Sequence, residues 1–326
     1  MIFFFDVCFK YIKSKGKKKK PSDITLSSYS TKKTKSQQIV EMHPHQIHKP
    51  RLIIMRHSER LDFVLKNNHW PQEVFINGVY SPNVTQMPTV LPFRADPHEY
   101  SLDTPLSRHG KAHSYHTGEF FRSLGLIPHR VYTSPAMRCV QTADAVLDGL
   151  GRRERAPLRV DLALHEPTKR KLPLQSASFF ASAGFFVDLN YRPVLSPTNN
   201  SIIVRESRLA YYRRMYAVLK RITQILISQN MRVSVTSVPP TILIVTHRPC
   251  VTLLAAMLNL DGVDDKVSYL QEMESNRRAE VNFLSMIIAE YDPATRLWTF
   301  LSDFPQLPTT PLIGATNLIN SLQLAD

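Results

Sequence analysis

Four short stretches set charged and titratable side chains directly after apolar runs. Arg56-His57-Ser58-Glu59-Arg60 follows Arg51–Met55, and Ser134-Pro135-Ala136-Met137-Arg138 follows Arg130–Thr133. His165-Glu166 follows an apolar stretch near residue 160, and His247-Arg248 follows Thr241–Thr246. The set is rich in guanidinium and imidazole and poor in acid. Guanidinium forks match phosphate oxygens bidentately and stay charged at any relevant pH. A neutral imidazole can serve as a nucleophile near pH 7. One carboxyl can protonate a leaving oxygen and then activate water, provided it starts protonated, and a neighbouring phosphate would raise its pKa to that end. The residue types therefore suit phosphoryl transfer.

Taken singly, each piece has an ordinary structural explanation. An Arg-His pair after a strand can be a surface loop, Arg138 a surface ion pair, His247 a hydrogen-bonded core histidine and Glu166 a solvated acid. Their shared placement carries the inference, because ligands of open α/β sheets sit beyond the carboxyl ends of the strands.

The elements that must position these residues follow from patterning. Arg51–Met55 (RLIIM) and Thr241–Thr246 (TILIVT) read as buried parallel strands. Arg130–Thr133 is a third strand, and Leu158–Leu164 a fourth. A helix capped at Ser107 is predicted to run to about Gly125, with Ala112, Tyr115, Phe120 and Leu124 on its apolar face. Ser134-Pro135 supplies an N-cap and first-turn proline for a helix through Leu150, closed by Gly151. A long amphipathic helix begins at Ser207, carrying Leu209, Tyr212, Met215, Tyr216, Leu219, Ile222 and Leu226. Another helix begins near Pro249. Glu280–Tyr291 and Arg296–Ser302 form a hairpin. Strands alternating with helices predict an α/β three-layer sandwich with a mostly parallel central sheet. Residues 67–103, with five prolines and little periodicity, read as a proline-rich insertion.

Composition narrows the function classes. The net charge of +14 looks like a nucleic-acid signal until it is located. Residues 1–50 hold 11 Lys against Asp6, Asp23 and Glu41, so this tail alone carries +8. A basic tail on a mildly basic domain argues against specific nucleic-acid recognition. Residues 1–50 are expected to be a disordered basic extension, with the ordered domain over 51–326. The lysines between Lys10 and Lys20 suit weak contact with an anionic membrane or a nuclear address. No apolar run is long enough for a transmembrane segment, and Met1–Phe9 lacks the marks of a signal peptide. Cys8, Cys139 and Cys250 show neither a disulfide framework nor a zinc pattern, which suits a cytoplasmic protein, and Cys139 reads as a buried helix residue. His109, His113 and His116, and His43, His45 and His48, are read as solvent-facing rather than metal-binding. No cofactor is expected. The sequons at Asn83 and Asn199 are expected to be silent.

The strings Arg56–Asp62 (RHSERLD), Tyr80-Ser81-Pro82-Asn83, Asp103–Ser107 (DTPLS), Val131–Ala143 (VYTSPAMRCVQTA) and Ile242–His247 (ILIVTH) resemble the histidine phosphatase superfamily, the phosphoglycerate mutase-like fold. Within it they are most similar to the phosphatase domain of the suppressor of T-cell-receptor signalling (ubiquitin-associated and SH3 domain-containing) proteins. The resemblance implies a phosphatase with His57 as phosphorylated nucleophile and Glu166 as general acid/base. It implies that Arg56, Arg60, Arg138 and a protonated His247 hold phosphate. It further implies a phosphorylated substrate, either phosphotyrosine protein or a bulky aryl or steroid phosphate, and allows a homodimer. Ser58 stands where the family usually has glycine, and Arg248 where a small residue is commoner, so a phospho-ligand scaffold impaired in catalysis is the alternative. A sugar-phosphate mutase is a third reading, set against Glu59-Arg60-Leu61-Asp62. Residues 1–50 are too short for the ubiquitin-binding and Src-homology modules, so ubiquitin binding is not carried over. Trp70, Tyr80, Phe93 and Tyr100 are read equally as a wall for an aryl or sterol group or as ordinary packing. Replacing Arg138 with alanine should lower turnover of an aryl phosphate by roughly 100- to 1,000-fold, measured as kcat/KM.

Overall fold

Alternation along the apolar strands decides the layers. The computed structural model describes residues 49–230, 238–277 and 281–301. Most of the basic extension, with Lys10–Lys20, His43, His45 and His48, lies outside these residues. Six strands form one sheet: β1 (Arg51–Arg56), β2 (Arg130–Thr133), β3 (Leu158–Val160), β4 (Thr241–Thr246), β5 (Met286–Asp292) and β6 (Leu297–Phe300). Their order is β3-β2-β4-β1-β5-β6. The first four are mutually parallel, while β5 and β6 run antiparallel as the expected hairpin. Leu52 and Ile54 of β1, with Ile242 and Ile244 of β4, face one apolar core. Ile53, Met55, Leu243 and Val245 face the other. Because side chains alternate along a strand, continuous apolar runs demand cover on both faces.

Helices supply it. α1 (Arg108–Ser123) and α2 (Met137–Leu150) cover one face, and α3 (Arg208–Asn230), α4 (Arg248–Ala256) and α5 (Val267–Arg277) the other. The result is the expected three-layer α/β sandwich with a mostly parallel sheet.

Several local expectations need correction. α1 is capped at Ser107, whose side chain accepts from the Gly110 amide, but its buried face differs from the expected one. Ala112 is exposed and Tyr115 is 37% exposed, while Phe120 and Leu124 pack against the core as expected. The buried stripe is Gly110, Ser114, Thr117, Gly118 and Phe121. Small residues win this face because α2 approaches at backbone distance. A Cβ on Gly118 would sit 2.0 Å from the Val146 carbonyl oxygen, and one on Gly149 would sit 1.9 Å from that of Tyr115. α2 begins at Met137 with Ala136 as its N-cap, not at Ser134, and ends as expected on left-handed Gly151. The strand expected to reach Leu164 stops at Val160. There Asp161 turns the chain into a 3-10 turn over Leu162–Leu164 by accepting from the Ala163 amide.

The insertion is not a featureless loop. It holds short helices at Trp70–Val74 and Glu99–Leu102, a small hairpin pairing Phe75–Ile76 with Val79–Tyr80, and its own apolar cluster of Leu61, Trp70, Val74, Met87 and Tyr100. Trp70 and Tyr100 are therefore core residues, and Phe93 is exposed to solvent, so the aromatic wall is not formed. A buried ion pair within the insertion, Arg94 Nη2 to Asp103 Oδ2 at 2.6 Å, holds Asp103, whose Oδ1 accepts from the Met137 amide beyond the carboxyl end of β2. Gly149→Ala is expected to force α1 and α2 apart and cost about 1–3 kcal/mol, read as a lowered Tm relative to a surface Ala control.

Candidate active site

β1 and β4 lie side by side, so their carboxyl ends present neighbouring loops. The His57 amide continues the pairing by donating to the Thr246 carbonyl at 2.9 Å. This brings the imidazoles of His57 and His247 to 5.6 Å between centroids, edge to face. Both rings are almost wholly buried.

Hydrogen-bond partners determine the tautomers. His57 Nδ1 lies 2.8 Å from the Ser58 carbonyl, which can only accept, so Nδ1 carries the proton and Nε2 keeps its lone pair. His247 Nδ1 lies 3.0 Å from Arg138 Nη2, which can only donate, so Nδ1 accepts and Nε2–H donates to Ser134 Oγ at 2.8 Å. Burial, then the charges of Arg138 and Arg56, hold His57 well below the ordinary 6.5. Burial, then His165 and Arg138, do the same for His247. The ring at 247, expected to hold phosphate, thus sits between Arg138 and Ser134 with Glu166 Oε1 also 3.3 Å from its Nδ1. Ser134, expected to cap a helix, instead anchors this ring.

The guanidinium groups crowd the same place. Arg56 donates to the Val281 carbonyl at 2.9 Å and lies 4.0 Å over the Phe283 ring. Burial, with Arg248 and Arg60 next, pushes Arg56 down to about 9. Arg60 donates to Asp62 Oδ2 at 3.0 Å and is lowered by burial and then by Arg138. Arg138 Nη2 lies 3.4 Å from Glu166 Oε1, and the same oxygen is 3.3 Å from His247 Nδ1. The Nε–H groups of Arg56, Arg60 and Arg138 are all buried without an acceptor among the described residues. Unspent buried donors of this kind call for an explanation. An oxyanion provides one.

All six expected residues are therefore gathered at the carboxyl edge of the sheet. Glu166, Arg138 and Arg60 border a cavity of about 390 Å³. Arg248 lines a different cavity of about 330 Å³ with Arg56, Phe63 and Phe283, so it does not intrude on Glu166. Ser58 does not distort the nucleophile loop. Its Oγ donates to the Gly110 carbonyl at 2.8 Å, and its amide donates to Thr142 Oγ1 at 2.9 Å. Gly110 in turn is required, because a Cβ there would lie 2.4 Å from the Glu59 carbonyl oxygen. Cys139 is buried beside His247, where burial raises its thiol. Among the described residues no cluster of three or more His, Cys, Asp or Glu could hold a metal ion, and His109, His113 and His116 do not converge on one.

Three residues escaped the sequence reading. Asp103 accepts from the Met137 amide at 2.9 Å and lies 3.8 Å from Arg138 Nη1, so it seats the start of α2 and the guanidinium together. His165 donates from Nδ1 to the Glu166 carbonyl at 2.7 Å, leaving a buried, unpaired Nε2. Burial and Arg138 push it down to about 3. Arg214 pairs with Glu206 and donates to the carbonyls of Ala163 and His165 at 2.8 and 2.9 Å, which pins the Glu166 loop. Asp103 and His165 were visible inside their strings, but only tertiary contact reveals their tasks. Arg214 had no local signal.

Comparison with known proteins matches residues 97–266 to the histidine phosphatase superfamily, branch 1. The chain belongs to that family. The matched stretch contains Arg138, Glu166 and His247 but starts after Arg56, His57 and Arg60, which the β1–β4 register brings alongside. The human ubiquitin-associated and SH3 domain-containing protein B is 31% identical over 268 residues, covering 79% of this chain and 38% of that protein. Ecdysteroid-phosphate phosphatase of Bombyx mori is 34% identical over 144 residues, covering 43% of this chain and 22% of that protein. The chain thus spans well under half the length of these relatives. The solved structure of ecdysone phosphate phosphatase from Bombyx mori, in complex with tungstate, superposes with a TM-score of 0.65 at 22% identity, over 83% of this chain and all of that one. That likeness bears out the fold expected from the resemblance. No helix among the described residues is long and apolar enough to cross a membrane.

Three buried neutral histidines make acid costly for this histidine phosphatase domain. His57, His165 and His247 all have folded values below the unfolded 6.5. Above pH 6.5 neither state binds the protons. Below it the unfolded chain binds them first, so stability falls as pH falls, by about 1.4 kcal/mol per pH unit for each titrating ring. Thermal melts at stepped pH should show Tm declining from about pH 6.5 downward, and His165→Gln should make that decline shallower.

Proposed function

We propose that this domain is a phosphomonoesterase acting through a phosphohistidine on His57. The observation that carries the reading is the set of buried, unpaired guanidinium N–H groups around an imidazole whose Nε2 is free to attack. A phosphate monoester is a dianion, and its uncatalysed hydrolysis is among the slowest biological reactions. Arg56, Arg60 and Arg138 bind its oxygens and take up charge as the transition state develops. His57 Nε2 forms the bond to phosphorus while the bond to the leaving oxygen breaks. The carboxyl of Glu166, in protonated form, gives its proton to that oxygen. In the second half, Glu166 as carboxylate takes a proton from water, whose oxygen attacks phosphorus. The P–N bond breaks, returning neutral His57 and inorganic phosphate.

Neutral His247 accepts from Arg138 and holds the guanidinium toward the transferring group. This is a positioning task, and its position between Arg138 and Ser134 supports it. The relatives named for ecdysteroid-phosphate support a phosphate ester of a bulky alcohol as substrate, and the resemblance to the suppressor of T-cell-receptor signalling proteins supports phosphotyrosine protein. The free, buried Cys139 and Cys250 suit a cytoplasmic enzyme, with weak contact between the Lys10–Lys20 segment and anionic membrane.

His57→Ala should lower turnover of phenyl phosphate by about 10⁴-fold or more, and rapid quench of the unaltered protein should trap an acid-labile, alkali-stable phosphoenzyme. Near-normal turnover by the variant would sink the assignment. Bisphosphoglycerate-dependent mutase activity in the same preparation would move the chain to the mutase branch.

A further inference from the structure

The cavity beside Glu166 has a far wall that the chemistry leaves unused. Asn68, His69, His98 and Ser101 of the insertion line it, together with Thr168 and Arg170 of the loop after Glu166. The aromatics weighed for such a wall are committed elsewhere, Trp70 and Tyr100 to the insertion's core. Leu102, Pro167 and Leu172 offer a sterol apolar contact on part of the lining, but against the polar wall it would desolvate donors without pairing them.

The cavity's charges are Arg60, Arg138 and Arg170 against Asp62 and Glu166, an excess of one cation. Its two carboxylates are engaged, Asp62 by Arg60 and Glu166 by Arg138. Glu99, next to His98 in sequence, faces Arg94 at 3.7 Å. The exposed Arg170 guanidinium makes no hydrogen bond or ion pair among the described residues; only the Arg170 carbonyl is used, accepting from Thr168 Oγ1. The His98 ring has a single weak contact, 3.4 Å from Ser101 Oγ. With Arg170 as its unpaired cation, the lining keeps a small positive excess, which favours an anion there.

We propose that this wall is a subsite for acidic side chains flanking the phosphorylated residue of a peptide, with Arg170 as the principal contact and His69 and His98 supporting it. The inference rests on the phosphomonoesterase reading and narrows it. A peptide extends on both sides of its phosphorylated residue, so once the phosphoryl group is held by the arginines its neighbours must cross the insertion–loop wall. Glutamate or aspartate there meets donors; lysine meets repulsion. The pairings are exposed, so each contributes modestly and is weakened by salt.

The test compares three phosphotyrosine peptides, with acidic, glutamine or lysine flanks, and a steroid phosphate, on the full chain. Phenyl phosphate turnover judges the enzymatic reading by itself; its absence would sink that reading, and peptide affinities by fluorescence anisotropy would still judge the subsite. At low salt the acidic peptide should exceed the glutamine peptide by about tenfold in kcat/KM, or in affinity for His57→Ala protein, with the gap closing at about 0.5 M salt. Arg170→Glu should lower the acidic-to-glutamine ratio toward one and raise the lysine peptide above both, a swap that general damage to folding would not produce. Equal treatment of the three peptides, or a steroid phosphate preferred over the acidic peptide, would overturn the proposal.

Discussion

Crowding guanidinium groups around one buried imidazole is electrostatically costly, and much of the surrounding structure offsets that cost. Arg56, Arg60 and Arg138 repel one another, and Arg248 adds to the pressure on Arg56. The offsetting partners are spread over distant parts of the chain: Asp62, Asp103, Glu166, the Val281 carbonyl and the face of Phe283. None of them neutralises the cluster fully, and the Nε–H groups of all four arginines are buried without a partner among the described residues. Burial first, and then the field that remains, keeps His57 unprotonated and therefore nucleophilic. The same arrangement that strains the unliganded site prepares it for a dianion.

Rigidity comes from backbone contacts rather than from side-chain bulk. Gly110, Gly118 and Gly149 let α1, α2 and the nucleophile loop approach at distances no Cβ would allow. Ser58 uses this closeness, since its hydroxyl reaches the Gly110 carbonyl and its amide reaches Thr142. A serine where relatives of this family usually carry glycine is therefore accommodated by α1 and α2 without disturbing His57. On the opposite side, Arg214 holds the loop that carries Glu166, using a buried pair with Glu206 as its counter-charge.

The insertion couples substrate access to this framework. Its small core packs on Leu61 outside it, and its Asp103, paired with Arg94, is the residue that seats Arg138. One wall of the reactive cavity is thus built by a segment that contributes nothing to the sheet. The two meet at several points: Asp103 accepts from the Met137 amide and faces Arg138, Gln86 accepts from the Arg108 amide, and the insertion's core packs on Leu61.

Strand identity, the three-layer class and the six charged or imidazole residues were legible in the sequence, because buried parallel strands leave continuous apolar runs and their carboxyl ends are where ligands bind. The caps at Ser107 and Gly151 were legible too, since capping is local chemistry. What was not legible depends on partners far along the chain. The small-residue face of α1 is chosen by α2, the fate of Ser134 by His247, the protonation of His247 by Arg138 and burial, and the polar wall of the cavity by aromatics that turned inward to form a core of their own. Local patterning reports what one segment prefers. Which preference prevails is decided only when another segment arrives to bury it, pair with it or charge it.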